Sequence, residues 1–495
     1  MREFLFPIER GGGESLQAQI RAALERAVVS GRFAPGESAP STRRLAEALG
    51  VSRNTVSLAF QALVDQGVLE ARERSGYYIA RFGAEAAPAQ APDGPQIEWD
   101  GRMAGPSVRF ESVPRPPDWR GAPFPFIYGQ FDPDLFPIAE WRDATRRAMG
   151  RRWLEDWTED RYAEDDPMLI EEIRRRILPR RGVAAEPEEI LITLGAQNAI
   201  FLAATLLIPA DAAAAMEEPG YPDARAIFGA RAGRLILQPV DGDGMLVDER
   251  LRGARLIYVT PSHQHPSLVS MTLERRRALL DLAEAEDAVI LEDDYEPEAI
   301  AMGPQRPALG ALDRRGRVIY AGSLSKSMMP GLRLGFLVGA AEFIKEARAL
   351  RRLIFRHPPG MNQRVAALFM AARHHDMLLG RIRRALQARR SAAMAALAQQ
   401  APGWRFSGAD GGGGLWVETA PALDSRRLAE AALKEGVVIE PGDVFFGAAK
   451  QTRFFRLGFS VIPEERIEEG VIRLARAART LQTTGVAGKG GRGGD

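Results

Sequence analysis

Within the first 80 residues the spacing of apolar positions changes more than once. Leu16, Ile20, Ala23, Leu24 and Ala27 recur at three- and four-residue steps and predict an amphipathic helix over 15–29. Pro35 and Gly36 break that pattern, and two short helical patterns follow on either side of Gly50. Their spacing is that of a helix-turn-helix. Ala46 is small where two helices cross, Gly50 permits a left-handed turn four residues later, and Val56 supplies a packing contact six residues beyond that. Ser52 is then the N-cap of the second helix, with Arg53, Asn54 and Thr55 in its exposed first turn. GVLEARERSGYYIA reads as strand, glycine turn and strand, a small wing.

Residues 81–120 are rich in Ala, Pro and Gly, follow neither period, and read as a linker. From 121 to 481 helical patterns alternate with short apolar runs such as EILITLG, ARLIYVTP, AVILEDDY and RVIYAGSLS. That alternation predicts an α/β domain with a largely parallel sheet covered by helices. The Gly-rich stretch 482–495 is expected to be disordered. The fold class expected is therefore multidomain: a winged helix-turn-helix over 1–80, then an α/β effector domain.

Composition changes this picture in three places. Lys plus Arg number 66 and Asp plus Glu 65, so the whole-chain charge gives no sign of a nucleic-acid partner. Within 1–80 there are 10 basic and 9 acidic residues, but 43–53 holds three arginines against Glu47 alone. The absence of cysteine excludes disulfides, thiolate metal sites and cysteine nucleophiles, and five histidines make a metal site improbable. With no signal-peptide layout and no apolar run near ~18 residues, we expect a cytoplasmic protein without a membrane partner.

The candidate chemistry centres on VIYAGSLSKSMMPGLRLGFLVG, where Lys326 follows an apolar strand, with Ser323 and Ser325 before it and Arg333 seven residues after. Pyridoxal 5'-phosphate (PLP) needs such a lysine for its aldehyde, with hydroxyls and a guanidinium for its phosphate; the bland reading is a salt-bridged structural lysine. Asp293 and Tyr295 stand two apart at a strand end, suited to the cofactor's pyridine nitrogen and its O3'. Gly195, Ala196 and Gln197 open a helix whose free N–H groups suit a phosphate, and Tyr221 offers a ring to stack.

In that order these residues resemble the fold-type I aminotransferases over roughly 126–481. The resemblance implies that His263 lies near the cofactor, that Arg456 grips an effector's acid group, and that Tyr162 reaches a neighbouring subunit's phosphate. The first 80 residues resemble a GntR-type winged helix, and the two parts together resemble the MocR/GabR group of bacterial transcription regulators. That implies a PLP-bound, domain-swapped head-to-tail homodimer. It would bind a double-stranded DNA operator and sense a small amino compound through an aldimine at Lys326. Arg43 and the turn at Ser52 would meet phosphates, Arg53, Asn54 and Thr55 would face the groove with the first two reaching base edges, and Gly76 and Tyr77 of the wing would approach the minor groove. The alternative is an aminotransferase with an accessory DNA-binding domain. The chain departs from the group at His265, where an aromatic is usual, at Leu268, where glycine is usual, and at Ile170 in a shortened loop after Tyr162. The basic run RRRILPRR (174–181) is expected to be a solvated helix end.

Overall fold

The computed structural model describes residues 8–10, 13–80, 97–99, 102, 113–296, 306–408, 411–419 and 423–487. The chain divides into two units, Met1–Ala104 and Gly105–Asp495. In the first, α1 (Leu16–Val29), α2 (Thr42–Leu49) and α3 (Arg53–Asp65) precede an antiparallel pair, β1 (Leu69–Arg72) and β2 (Gly76–Ile79). The helices close on Ile20, Leu24, Ala46, Val56, Phe60 and Leu63. Gly50 ends α2 at φ 63°, ψ 33°, a left-handed conformation that side chains with a Cβ resist. Two residues on, Ser52 caps α3, its Oγ accepting the Thr55 N–H at 3.0 Å.

The second unit opens with β3 (Phe124–Pro125) and helices α4 (Ile138–Ala148), α5 (Leu154–Thr158) and α6 (Pro167–Glu172). Its centre is an eight-stranded sheet of β4 (Ile190–Thr193), β5 (Ala213–Glu218), β6 (Arg234–Asp241), β7 (Gly244–Met245), β8 (Ala254–Val259), β9 (Val289–Asp294), β10 (Val318–Ser323) and β11 (Gly335–Val338). The order is β4-β11-β10-β9-β8-β5-β6-β7. Strands β10, β9, β8, β5 and β6 run parallel, while β11 and β7 lie antiparallel to their neighbours. Both faces are covered, so the strands are nearly continuous apolar runs: Met216, Tyr258 and Leu291 pack to one side, Ala215, Ile257 and Ile290 to the other. Beyond it lie β12 (Arg405–Ser407), β13 (Gly414–Glu418), β14 (Val437–Val438), β15 (Glu440–Pro441) and β16 (Phe454–Gly458). Four of these form an antiparallel sheet, β12-β13-β16-β15, and β14 pairs with β3.

Three expectations need correction. The final helix, Glu464–Ala487, continues six residues past Leu481, with the Thr480 and Thr483 hydroxyls bonding carbonyls one turn back; residues 488–495 lie outside the described residues. Most of the segment read as linker also lies outside them, but Trp119–Gly121 form a 3-10 turn and Arg115 is bonded to Glu440. The basic run does not end in solvent. Arg181 is 4% exposed and donates to Asp294 at 2.7 Å, while Arg174 and Arg180 are paired with Glu171 and Asp376. Among the described residues no helix is long and apolar enough to cross a membrane.

Candidate cofactor and effector site

Lys326 follows β10, its Nζ donating to the Gly129 carbonyl at 2.9 Å. Gly129 takes φ 72°, a backbone conformation that residues with a Cβ resist, and a Cβ there would stand 2.3 Å from that nitrogen and displace the amine. Burial lowers the amine's proton affinity, against the opposing charge of Glu296. A neutral amine is the nucleophilic form. Glu296 is itself buried, which raises its pKa, and it accepts the Tyr128 hydroxyl at 2.5 Å.

The turn after β4 builds an anion cradle. Gly195 adopts φ 87°, ψ 174°, and α7 (Ala196–Leu207) starts at the next residue, so the N–H groups of its first turn face outward without helical acceptors. The Arg333 guanidinium donates to the Leu194 carbonyl at 3.0 Å and would lie 3.2 Å from a Cβ on Gly195. Ser323 accepts the Ser325 N–H at 3.2 Å, while Ser325 Oγ is buried without a partner. The Gln197 side chain turns away to Asp223, which also accepts the Tyr221 hydroxyl at 3.0 Å.

At the end of β9, Tyr258 donates to Asp293 Oδ2 at 2.8 Å, but Asp293 Oδ1 is buried and unpartnered. Burial raises this carboxyl to about 7. The Tyr295 hydroxyl is buried and makes no well-formed hydrogen bond. Buried polar atoms are normally satisfied. Asp293 Oδ1, Tyr295 Oη and Ser325 Oγ are the acceptor and donors that a protonated pyridine nitrogen, an O3' and a phosphate complete. The residues present fit PLP.

The far end of the site is built around Arg456 on β16, 3% exposed. Its Nε donates to Glu440 at 2.9 Å and its NH1 lies 2.8 Å from His265 Nε2, with the Tyr128 and Phe445 rings at 4.2 and 4.9 Å from the guanidinium carbon. Burial first, and then Arg456, hold His265 well below its usual pKa. A neutral His265 accepting at Nε2 carries its proton on Nδ1, which is buried without a partner. Its ring also contacts Tyr221, Tyr295 and Phe445, at centroid separations of 5.2, 5.8 and 5.3 Å. Leu268, the other departure, holds φ 61° and is 2% exposed, packed where a Cβ on Gly408 would touch it. That positive φ accounts for the glycine usual there.

Two further assigned residues, His263 and Tyr162, make no hydrogen bond to the cradle among the described residues. His263 is pushed down to about 4 chiefly by burial, with the charges of Asp294, Arg181, Arg390 and Arg276 acting on it. Tyr162, expected to reach a neighbouring subunit, is 57% exposed at φ 56° and within its own chain lies under the Arg352 and Arg356 guanidiniums. Conversely, Arg115, Tyr128, Glu296 and Glu440 were not found from sequence. Arg115 sits in the Pro-rich stretch read as linker, and Glu440 in a two-residue strand too short to show a period.

In the first unit Arg43, Ser52, Arg53, Asn54 and Gly76 are exposed. The Ser52 hydroxyl is engaged by Thr55, which is half-buried. Tyr77 does not project from the wing. Its ring packs edge-on against Phe60 at 5.1 Å, because Ile79 is in the core and residues two apart share a strand face. Tyr78, under the Arg72 guanidinium at 4.1 Å, lies on the outer face.

The family description "Aminotransferase class I and II" matches residues 129–474, and "Bacterial regulatory proteins, gntR family" matches 16–79. The HTH-type transcriptional regulator TauR of Rhodobacter capsulatus is 44% identical over 96% of this chain and 98% of its own. This chain belongs to the GntR/MocR group of transcriptional regulators. The probable rhizopine catabolism regulatory protein MocR of Rhizobium meliloti is 30% identical over 95% of both chains. Among solved structures, the α-aminoadipate aminotransferase LysN of Thermus thermophilus, complexed with N-(5'-phosphopyridoxyl)-L-leucine, covers 72% of this chain and 92% of its own, with 29% identity and a TM-score of 0.67. The kynurenine aminotransferase of Pyrococcus horikoshii covers 71% and 90%, with 27% identity and the same TM-score. The regulator therefore joins a GntR helix-turn-helix that binds DNA to a fold-type I aminotransferase-like domain whose cofactor is PLP and which takes a small-molecule ligand.

Proposed function

We propose that this regulator acts in the cytoplasm as a head-to-tail homodimer, binds a double-stranded operator with two spaced half-sites, and senses a small amino compound at Lys326. The observation that carries the sensing half is that three buried atoms lack partners, Asp293 Oδ1 and Tyr295 Oη at the end of β9 and Ser325 Oγ beside the buried Lys326 in the segment after β10. PLP, when bound, supplies an aldehyde that reacts reversibly with primary amines. The chain's own residues do the rest. Asp293 holds a proton at the ring nitrogen, Gly195, Ala196, Gln197, Ser323, Ser325 and Arg333 hold the phosphate, and Tyr221 covers the ring. An amine that takes the place of the Lys326 nitrogen releases that nitrogen from its fixed position, and the two arrangements differ in how the paired winged helices engage DNA. Tyr162, exposed on one chain, is placed by this reading at the partner's phosphate.

Arg43 and the Ser52 turn contact phosphates, and Arg53 and Asn54 contact bases. Fluorescence anisotropy with a two-half-site operator and a scrambled duplex, across a salt series, tests the DNA half. We expect a clear preference for the operator and steep salt dependence; equal binding of both duplexes at every salt concentration would end this reading. A second reading, full aminotransferase turnover, is favoured by the presence of Lys326, Asp293, Tyr295 and Arg456 together. Sustained release of a keto product in the presence of a keto-acid acceptor would support it, whereas a stable spectral change with altered operator binding supports sensing alone.

A further inference from the structure

Glu296 is 5% exposed and lines the same cavity as Lys326, beside Gly129 and Gln130. Its Oε2 accepts the Tyr128 hydroxyl at 2.5 Å, and its Oε1 takes no hydrogen bond among the described residues. The centre of the Tyr128 ring lies 5.8 Å from the Lys326 nitrogen. Accepting a phenol requires no charge, since a side-chain amide oxygen would do it too. A carboxylate that stays ionised in a buried setting needs a cation. Burial raises the Glu296 carboxyl, and Lys326 is the largest charge opposing that rise, ahead of Arg456 and Arg390. The relation is mutual: burial lowers the proton affinity of Lys326, and Glu296 is the largest charge opposing it, with Glu440 acting in the same sense and Arg456 and Arg115 against. Arg456 has its own carboxylate in Glu440. Lys326 is in no ion pair among the described residues, and its hydrogen bond goes to the neutral Gly129 carbonyl.

We propose that Glu296 is a positioning carboxylate for Lys326: whenever the lysine is not bonded to cofactor, Glu296 holds its nitrogen as an ammonium in the cavity that both residues line. This deepens the sensing reading above and rests on it for the step in which an amine displaces the lysine. Primary amines reach the site from water largely as ammonium ions, and a protonated nitrogen has no lone pair with which to attack. At the cofactor's aldehyde carbon a C–N bond to the arriving amine forms and the C–N bond to Lys326 Nζ breaks. The proton that the arriving nitrogen gives up ends on the released Nζ, so atoms and charge balance within the site. Glu296 keeps that proton in place by favouring the charged form of the lysine. Without the carboxylate, burial and the Arg456 and Arg115 charges drive the nitrogen back to its neutral, nucleophilic form. Glu296 therefore biases the site toward the amine-bound arrangement.

The first test uses full-length protein freed of PLP and follows the rate of PLP capture, read from the visible absorption band, from about pH 6 to pH 10. Capture needs the neutral amine, so its rate rises with pH through the Lys326 pKa. We expect Glu296→Gln and Glu296→Ala to move the midpoint of that rise down by about one pH unit, and Glu296→Asp to keep most of the wild-type midpoint by keeping the charge. The other groups around the pair do not imitate this shift. The Arg456, Arg115 and Arg390 guanidiniums stay charged, Glu440 stays bonded to the first two, the Tyr128 and Tyr295 hydroxyls are pushed well above their usual range, and His265 is neutral. Asp293, near 7, is common to every variant. An unchanged midpoint in the Gln and Ala variants overturns the inference. So does a shift in Glu296→Asp as large as in Glu296→Gln, which is what a disturbed Tyr128 contact gives. The second test needs no variant. Calorimetry of the PLP-loaded wild type at pH 8, in two buffers of different ionisation enthalpy, counts the protons released as it binds primary amines of two to five carbons, with and without an acid group. Close to none should appear, and a full proton released per amine bound overturns the inference. A wild type that captures PLP but whose band no amine perturbs overturns the sensing reading, and the capture profile then still decides what Glu296 does to the lysine.

Discussion

The Asp293 carboxyl is buried at the end of β9, with one oxygen on Tyr258 and the other unpartnered, and burial raises it to about 7. Without cofactor it is protonated in the fold and ionised in the unfolded chain between about pH 4 and pH 7. The folded state then binds more protons than the unfolded one, so this group's effect is a stability that falls as pH rises through that window and stays low above it. At ~1.4 kcal/mol for each tenfold change in proton affinity, the loss is of order 4 kcal/mol. Glu217, also raised to about 7 chiefly by burial, adds a loss of the same sign. Thermal unfolding of the PLP-free protein at pH 5, 6, 7 and 8 should show the decline, and Asp293→Asn should remove part of it. Loading with PLP should also flatten it, because a protonated ring nitrogen favours the ionised carboxylate. His265 gives a contrasting case. His265→Phe keeps a ring against Tyr221, Tyr295 and Phe445 but deprives Arg456 NH1 of its acceptor. We expect a cost of about 1–3 kcal/mol in urea unfolding. That cost should be smaller at pH 6 than at pH 8 by a little less than ~1 kcal/mol, since at pH 6 the unfolded chain's imidazole, at its ordinary pKa of ~6.5, binds a proton that the buried one does not.

Two short turns carry much of what the helices and strands do. Gly50 and Ser52 decide where α2 stops and α3 starts, and Ser52→Ala removes the cap that accepts the Thr55 N–H. A loss of about 1 kcal/mol in the unfolding of the winged-helix unit is expected, read by circular dichroism. At the other turn, Gly195→Ala places a Cβ at φ 87° and 3.2 Å from Arg333 NH2. PLP affinity should fall while the Lys326 environment is untouched, as equilibrium dialysis against PLP would measure. These turns were legible in the sequence because a glycine or serine at a helix boundary has one dominant physical use. The same is true of Lys326, Asp293 and Tyr295, which end apolar strands of a parallel sheet, where ligands bind. What stayed hidden was tertiary: Arg115 meets Glu440 across 325 residues, and no local period connects them. Tyr77 was misplaced although the signal was present, since Ile79 had to be buried and Tyr77 shares its face.

For the molecule as a whole, a formal charge of +1 over 495 residues gives no long-range attraction to DNA, so affinity has to come from a few exposed arginines at short range. Arg43 on α2 and Arg53 at the start of α3 are exposed, and neither is in a salt bridge among the described residues. Each phosphate contact steepens the dependence of log affinity on log salt by about 0.9. In the proposed homodimer every substitution acts twice, so Arg43→Gln should lower the slope by about 1.8 and weaken operator and scrambled duplex alike. Asn54→Ala should behave differently. A side-chain amide reads a base edge without neutralising a phosphate, so the slope should be unchanged while discrimination at one base position in each half-site falls by about 1–3 kcal/mol. Anisotropy titrations at four salt concentrations, with operators altered one position at a time, separate the two effects. If Asn54→Ala changes the slope and Arg43→Gln changes the preferred sequence, the roles assigned to the two residues are reversed.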